Sequence, residues 1–389
     1  MRTGRLANLD YTLLLCTLAA TVVGVLMVYS ATDSARTGSL TLSDFAIKQA
    51  TFGVVGLGLM LLLARMDYRF LESFTLPFYL GTVGLLLLVV FMGESNYGSQ
   101  RWLDLKVIQL QPSELAKLGL VIVLAKFLAD RAKELHKLKW FVAAGLITLV
   151  PTAIVFKQPD LGTAIILGSI FLGMTIGAGV SGRIFALTFG LAIPALYAFW
   201  TWIMHDYQRE RFLIFLNPES DPSGAGYNIL QARITAGSGG FLGQGYLNGS
   251  QSQLEFIKVQ YSDFIFSVVA EQFGFVGSVV LIALLFIIVW RCLVVAARAP
   301  DFTGSLIAIG VATWLGMQIF INVGMNIGLM PVTGVPLPFI SYGVSSLMSI
   351  LFGLGMVQSV AVQSSPVVFG GSLLSPGWAR AGRTTLRPR

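Results

Sequence analysis

Charge is what this chain has least of: 12% of its 389 residues are Asp, Glu, Lys or Arg, against 55% hydrophobic, with a mean hydropathy of +0.77. That excludes a string of two or three soluble domains, where about a quarter of residues carry charge. Cysteine is nearly absent too. Cys16 and Cys292 alone make neither a disulfide framework nor a zinc site. The two histidines, His136 and His205, fall in or beside loops and lack metal-ligand spacing. Repetition is also missing, since span lengths show no two-fold pattern of the kind that marks an inverted-repeat transporter.

Long apolar runs fill the chain instead. Stretches of roughly 18 to 25 residues, the length a helix needs to cross a ~30 Å hydrocarbon core, recur along it. They are Tyr11 to Ala31, Phe45 to Ala64, Leu76 to Met92, Pro112 to Ala129, Trp140 to Phe156, Leu161 to Gly179, Ile184 to Met204, Phe264 to Trp290, Phe302 to Gly328 and Phe339 to Gln363. About ten spans follow, so both termini lie on one side. The first run is too long and too poor in small-residue cleavage sites for a removed signal peptide, and reads as a retained span. The expected fold is an all-α integral membrane protein. Residues 1–363 form one polytopic unit with a large loop at 205–262 between spans seven and eight, and 364–389 form a basic tail rich in Pro, Gly and Arg, expected to be disordered.

Basic residues orient the bundle. With the termini inside, the inner segments hold Arg2, Arg5, Arg65, Arg69, Arg131, Lys133, Lys137, Lys139, Arg183, Arg291, Arg298, Arg380, Arg383, Arg387 and Arg389. These are about fifteen of the 26 Lys and Arg, against about eight outside over longer segments. Both termini are therefore expected in the cytoplasm and the large loop outside. The net charge of +7 is then membrane topology and not a nucleic-acid footprint. Within the loop, Tyr227 to Gly237 predicts a short interfacial helix with Ile229, Leu230 and Ile234 on one side and Gln231 and Arg233 on another.

Two spans start alike, with Gln111-Pro112-Ser113-Glu114 and Gln158-Pro159-Asp160. Proline suits the first helical position and an acid the first turn, facing the positive end of the helix dipole, so either start on its own could be simply well made. Both fall on the outer side together with Asp263, which closes the polar stretch His205 to Ser262 and opens the apolar run at Phe264. Three carboxylates can thus converge at one depth. A carboxylate at the lip of a membrane is costly and marks a functional position; the plainer alternative makes Asp263 or Ser262 a helix cap.

Lys117 lies one turn beyond Glu114 on the same helix face. It is either half of a neutralised ion pair or a cation lining a polar cavity. Arg101, Lys117 and Lys157 are outer cations close to spans, against the positive-inside bias, and an anionic ligand in the outer leaflet such as a lipid pyrophosphate would account for them. Arg209, Arg211 and Lys258 read as solvated loop residues, and Arg233 also lies outside. Glu271, eight residues past Asp263 and ~12 Å deeper, cannot share its atoms and reads as a buried partner in a helix contact. The segment Asn326 to Ser346 has three prolines and no charge. Irregular backbone in a membrane must be buried or line a cavity, so it is expected to fold back toward the carboxylates.

Together these residues resemble the SEDS family (shape, elongation, division and sporulation) of bacterial peptidoglycan glycosyltransferases, over nearly the whole chain to about Gln363. The likeness is carried by Arg101-Trp102 ahead of Gln111-Pro112-Ser113-Glu114, and by Lys157-Gln158-Pro159-Asp160-Leu161-Gly162-Thr163. It continues in Ser262-Asp263-Phe264-Ile265-Phe266 and Pro336-Leu337-Pro338-Phe339-Ile340-Ser341-Tyr342-Gly343. Met325-Asn326-Ile327-Gly328-Leu329-Met330-Pro331 is nearer the elongation than the division branch. Val344 stands where the family usually has a second glycine, a departure that touches the local turn.

The resemblance implies a ten-span enzyme of the bacterial cytoplasmic membrane that polymerises lipid II on the outer face for cell elongation and rod shape. Asp263 matches the family's essential aspartate. The expected partners are a class B penicillin-binding protein, a transpeptidase that crosslinks the strands, and other elongation-complex proteins; a divalent cation, Mg²⁺ or Mn²⁺, is associated with the family and stays open. A sugar hydroxyl is a poor nucleophile, so Asp263 is expected to act as general base, worth ~10² to 10⁴ in rate. Arg101, Lys117 and Lys157 would stabilise the departing pyrophosphate, with Asp160 and Glu114 holding those cations or a metal. Gln111, Ser113, Gln158 and Ser341 complete the candidate substrate-binding set. Two rival functions are a lipid II flippase, which would move labelled lipid across liposomes without making polymer, and a non-catalytic scaffold, in which Asp263→Asn would be silent.

Overall fold

The computed structural model describes residues 8–32, 44–92, 94–96, 99–104, 109–198, 201–202, 209, 213–221, 225–254, 256–257 and 260–364. His205, Arg211, Lys258, Arg2, Arg5 and the tail beyond 364 lie outside the described residues.

Among the described residues, ten helices of seventeen residues or more fall on the ten apolar runs. In chain order the elements are α1 (Tyr11–Thr32), α2 (Asp44–Arg65), the short α3 (Arg69–Ser73), α4 (Thr75–Met92), β1 (Glu94–Asn96), β2 (Ser99–Asp104), β3 (Gln109–Leu110) and α5 (Pro112–Ala129). They continue with α6 (Leu138–Lys157), α7 (Leu161–Gly177), α8 (Gly182–Ala198), the loop helices α9 (Ala225–Ser238) and α10 (Ser250–Gln253), and then α11 (Ile265–Arg298), α12 (Phe302–Asn326) and α13 (Val344–Gln363). Among the described residues six helices can cross a bilayer on length and apolarity alone, while α4 and α7 are apolar but shorter. The α5 helix misses that standard because it carries Glu114, Lys117 and Lys126. Its charges are nonetheless answered: Lys117 pairs with Glu114 at 2.7 Å, and Lys126 reaches Glu72 and Asp130 at 3.9 and 3.7 Å.

The helix starts follow from their sequences. Pro112 fills the first turn of α5, and the Asp160 side chain accepts from Thr163 N at 3.1 Å to cap α7. Asp301 caps α12 in the same way from Gly304 N at 2.8 Å. The α12 helix packs on α5, α7, α11 and α13, and α13 also packs on α2. Of their central stretches 61% and 83% are buried, so these two form the axis of the bundle. Lipid offers no hydrophobic drive between helices, and α12 accordingly adds a polar stripe to its packing: Gln318, Asn322 and Asn326 are all fully buried.

Side-chain contacts define two ends. At one, Asp10 ahead of α1 binds Arg291 of α11 at 2.5 Å and exchanges two hydrogen bonds with Gln358 of α13. There too, Asp301 holds Arg69 and Tyr68, each at 2.7 Å, and Ser359 accepts from Tyr68 N. The other end collects the starts of α5, α7, α11 and α13 with the ends of α6 and α12.

Two features differ from expectation. Residues 94–96, 99–104 and 109–110 make a three-stranded antiparallel sheet, in the order β1-β2-β3, that packs β2 on α4 and α5; strands of three, six and two residues are too short to show alternation. In the large loop, α9 buries Ile229, Ala232 and Thr235 and leaves Ile234 52% exposed. The helix turns its small side chains inward because it packs on α11 and α12, not on lipid alone.

Candidate active site

The α11 helix opens at Ile265 with Phe264 as its N-cap and no side-chain cap, so neither Asp263 nor Ser262 caps it, and the backbone just ahead is clamped from three directions. Asn322 and Asn326 both donate to the Asp263 carbonyl, at 3.1 and 3.0 Å. Asn322 also donates to Val335 O at 2.7 Å, and Asn326 accepts from Ser267 Oγ at 2.7 Å. Ser341 Oγ donates to Ser262 O at 2.6 Å while accepting from Leu337 N at 2.7 Å, and Tyr342 N donates to Tyr261 O at 2.9 Å. The uncharged segment 327–343 therefore does fold back over the start of α11. Fixed in this way, the Asp263 carboxylate takes a hydrogen bond from Ser262 Oγ at 2.8 Å and stays partly exposed.

Arg101 comes to the same place from β2. Its Nε donates to Gln158 O at 3.0 Å and its Nη2 to Pro159 O, so the guanidinium sits on the carbonyls that end α6, where a cation also suits the helix dipole. Its Nη1 lies 3.9 Å from Asp160 Oδ1, which caps the next helix. Gly334 separates Arg101 from Asp263: a methyl group on it would lie 3.5 Å from Asp263 Oδ2 and 3.8 Å from Arg101 Nη1. With φ +70, this position is left-handed and open, which is glycine's to fill. One carboxylate and one guanidinium thus face a shared gap at one end of the bundle.

The remaining predicted residues divide. Asp160 is 1% exposed, and Thr163 occupies both its oxygens, at 3.1 and 2.9 Å. Glu114 and Lys117 are not at the gap but one turn inside α5, 1% and 0% exposed. Lys117 also donates to Gln318 Oε1 at 3.3 Å and lies 5.1 Å from the Trp314 ring centre, and Gln318 in turn donates to Pro336 O at 2.9 Å. This pair reaches the gap only through the backbone of 327–343. Of the two readings left open for Lys117, the geometry is that of an enclosed ion pair. Glu114 Oε2 and Ser113 Oγ are buried and without a hydrogen-bond partner among the described residues. Gln111 is buried and its N–H donates to Ser345 Oγ, and Gln158 spends its Nε2 on Leu86 O at 2.8 Å. Lys157 is exposed at the end of α6 and makes no ion pair with a described residue.

The sequence reading missed the buried α12 stripe. Its signal was legible, since Gln318, Asn322 and Asn326 recur every four residues on an otherwise apolar span. Glu271 is fully buried, and the helices it contacts by hydrogen bonds are those of the loop: Gln251 and Ser252 of α10 and Ser238 of α9.

A divalent cation needs about six oxygen ligands. Among the described residues no three His, Cys, Asp or Glu side chains converge. The Asp160 oxygens are spent on Thr163, and Arg101 already supplies positive charge at the gap. Among the described residues there is thus no all-protein cation cage; a cation held, as Mg²⁺ commonly is, by one carboxylate and a substrate's phosphates would fall to Asp263.

A multi-pass helical membrane protein with a carboxylate and an arginine set against each other at one end is the class that fold and site define. The comparisons narrow it. The profile of the FtsW/RodA/SpoVE family, described as cell cycle proteins, matches residues 11–366, and the chain belongs to that family. It is 39% identical over 355 residues to the peptidoglycan glycosyltransferase MrdB of Escherichia coli K12, covering 91% of this chain and 93% of that protein. It is 33% identical to the peptidoglycan glycosyltransferase RodA of Treponema pallidum, covering 92% and 99%. Among solved structures, a chain of a peptidoglycan synthase complex that coordinates polymerization and crosslinking superposes with a TM-score of 0.76 at 32% identity, covering 91% and 97%. The rod shape determining protein RodA of Thermus thermophilus superposes at 0.66 and 28%, covering 92% and 98%.

Proposed function

We propose that this protein is a peptidoglycan glycosyltransferase that polymerises lipid II on the outer face of the bacterial cytoplasmic membrane, in the service of cell elongation and rod shape. The observation that carries the site assignment is the Asp263–Arg101 gap. Of the three carboxylates expected to converge, Asp263 alone is accessible, for Asp160 and Glu114 are buried. The acceptor's 4-hydroxyl loses its proton to the Asp263 carboxylate as its oxygen bonds to the donor's anomeric carbon. The bond from that carbon to the pyrophosphate oxygen breaks, and undecaprenyl pyrophosphate leaves with the electron pair. Arg101, held on the α6 carbonyls, meets the charge gathering on it.

The orientation belongs to the same proposal. Arg65, Arg69, Arg131, Lys133, Lys137, Lys139, Arg183, Arg291 and Arg298 lie at the end away from the gap, so that end and both termini face the cytoplasm. A class B penicillin-binding protein is the proposed partner; the likeness to a chain from a complex that joins polymerization to crosslinking supports it. The test is polymerisation of purified lipid II by wild type and Asp263→Asn, with folding followed by thermal melting in detergent. The variant is expected to fold and to make no polymer. Full activity would end the assignment, and lipid transfer across liposomes without polymer would favour the flippase.

A further inference from the structure

We infer that Glu271 is a positioning residue that sets the Asp263 backbone through the loop ahead of α11. For its activity arm this rests on the glycosyltransferase reading; its structural arm stands on geometry alone. The α11 helix is not continuous. At Gly274 the backbone leaves the helical region (φ 66, ψ −163), a conformation glycine alone adopts readily. A break within a span frees backbone groups that lipid cannot satisfy, and the loop supplies the partners. Gln244 N and Gly245 N donate to the Glu271 and Gln272 carbonyls at 3.0 and 2.9 Å; Phe275 N and Val276 N donate to Gly240 O and Phe241 O at 2.9 and 3.2 Å. Residues 240–245 are stitched into the break from both sides.

Glu271 stands inside this break, 0% exposed. Its carboxylate accepts from Gln251 N at 2.6 Å, Ser252 N at 3.0 Å and Ser238 Oγ at 3.5 Å. The two amides belong to α10, so the charge fixes that turn by charge-assisted bonds. Ser252 passes the constraint on, for its carbonyl accepts from Gln260 Nε2 at 3.1 Å. The same nitrogen donates to Ala31 O of α1 at 2.9 Å. Gln260 is buried and lies three residues before Asp263. Next to Asp263, Phe264 packs with Ala232, Ile257 and Val332 in a small cluster that joins α9 to the loop and to segment 327–343. Glu271 therefore lies too deep to touch the reacting atoms, yet one hydrogen-bonded turn connects it to the stretch that carries them. Removing its charge loosens residues 260–264 and leaves the helices beneath intact.

The experiment uses the full chain in detergent or nanodiscs, comparing wild type, Glu271→Gln, Glu271→Asp and Asp263→Asn. Deuterium uptake of the Gln260–Phe264 amides and kcat and KM for lipid II are measured together with the melting temperature. Glu271→Gln is expected to raise uptake at 260–264 by about tenfold and to lower kcat by about ten- to a hundredfold, the scale on which small misplacements act. KM and uptake within α12 and α13 stay unchanged, and Glu271→Asp recovers part of kcat. Unchanged uptake at 260–264, or raised uptake with wild-type kcat, overturns the proposal. If Glu271→Gln does not fold, Gly249→Ala applies the same test, since its methyl would collide with Glu271 Oε2 while the carboxylate remains. Should Asp263→Asn prove fully active, the catalytic reading fails and the uptake result alone decides the positioning role.

Discussion

At the scale of single residues, the enclosed pair of Lys117 and Glu114 separates stabilising charge from reacting charge. Both are taken from water; the 2.7 Å contact, the Gln318 bond and the Trp314 ring answer the Lys117 ammonium, while Glu114 Oε2 is left without a hydrogen-bond partner among the described residues. Breaking such a pair by removing one partner costs about 3–5 kcal/mol, because the other is left buried and alone. Lys117→Met is therefore expected to lower the melting temperature sharply in detergent, more than any change at exposed Lys157. An unchanged melt would mean that Glu114 finds other partners. Arg101 shows why part of the site escapes a sequence reading: Arg101-Trp102 stands out as a motif, but its strongest partners are the carbonyls of Gln158 and Pro159. Backbone acceptors leave no trace in side-chain patterns.

Among elements, the spanning helices are legible because lipid demands long apolar runs and tolerates few departures. The meander β1-β2-β3 and the break at Gly274 are not, the first because its strands are so short, the second because Gly274 lies inside a run long enough to read as one continuous span. Helix caps carry their own prediction. Burial pushes the Asp301 carboxyl upward, but the bonds from Gly304 N, Tyr68 and Arg69 outweigh it and hold its pKa below the ordinary carboxylate value. A lowered folded pKa gives stability that is complete above the unfolded value and is lost as pH falls through the folded one. Stability is thus expected to decline below about pH 4, and Asp301→Asn should remove this part of the decline while lowering the plateau above it. Thermal melts of both proteins across the acid range check this. The Tyr68 hydroxyl, buried and donating to Asp301, is raised in pKa and stays protonated throughout.

Taken as crossings, the ten apolar runs put the gap and the basic connections on opposite faces of the whole molecule. Single cysteines at 157 and 137, in a chain whose Cys292 is fully buried, test this in intact cells. A membrane-impermeant maleimide is expected to label position 157 and to leave 137 untouched until the cells are opened; the reverse pattern would invert the bundle. The convergence of Arg101, Asp160 and Asp263 at one end is legible from that crossing count, whereas their mutual distances depend on the unforeseen meander.

The end away from the gap is tied tightly: Asp10 joins α1, α11 and α13, and Asp301 joins α12 to the short α3. The gap end is built from loops and connections between helices. The two aspartates of the tied end join segments far apart in the chain, Asp10 to Gln358 across 348 residues and Asp301 to Arg69 across 232. That end is therefore complete only once the last span is in place, and α1 cannot finish its contacts before α13 arrives.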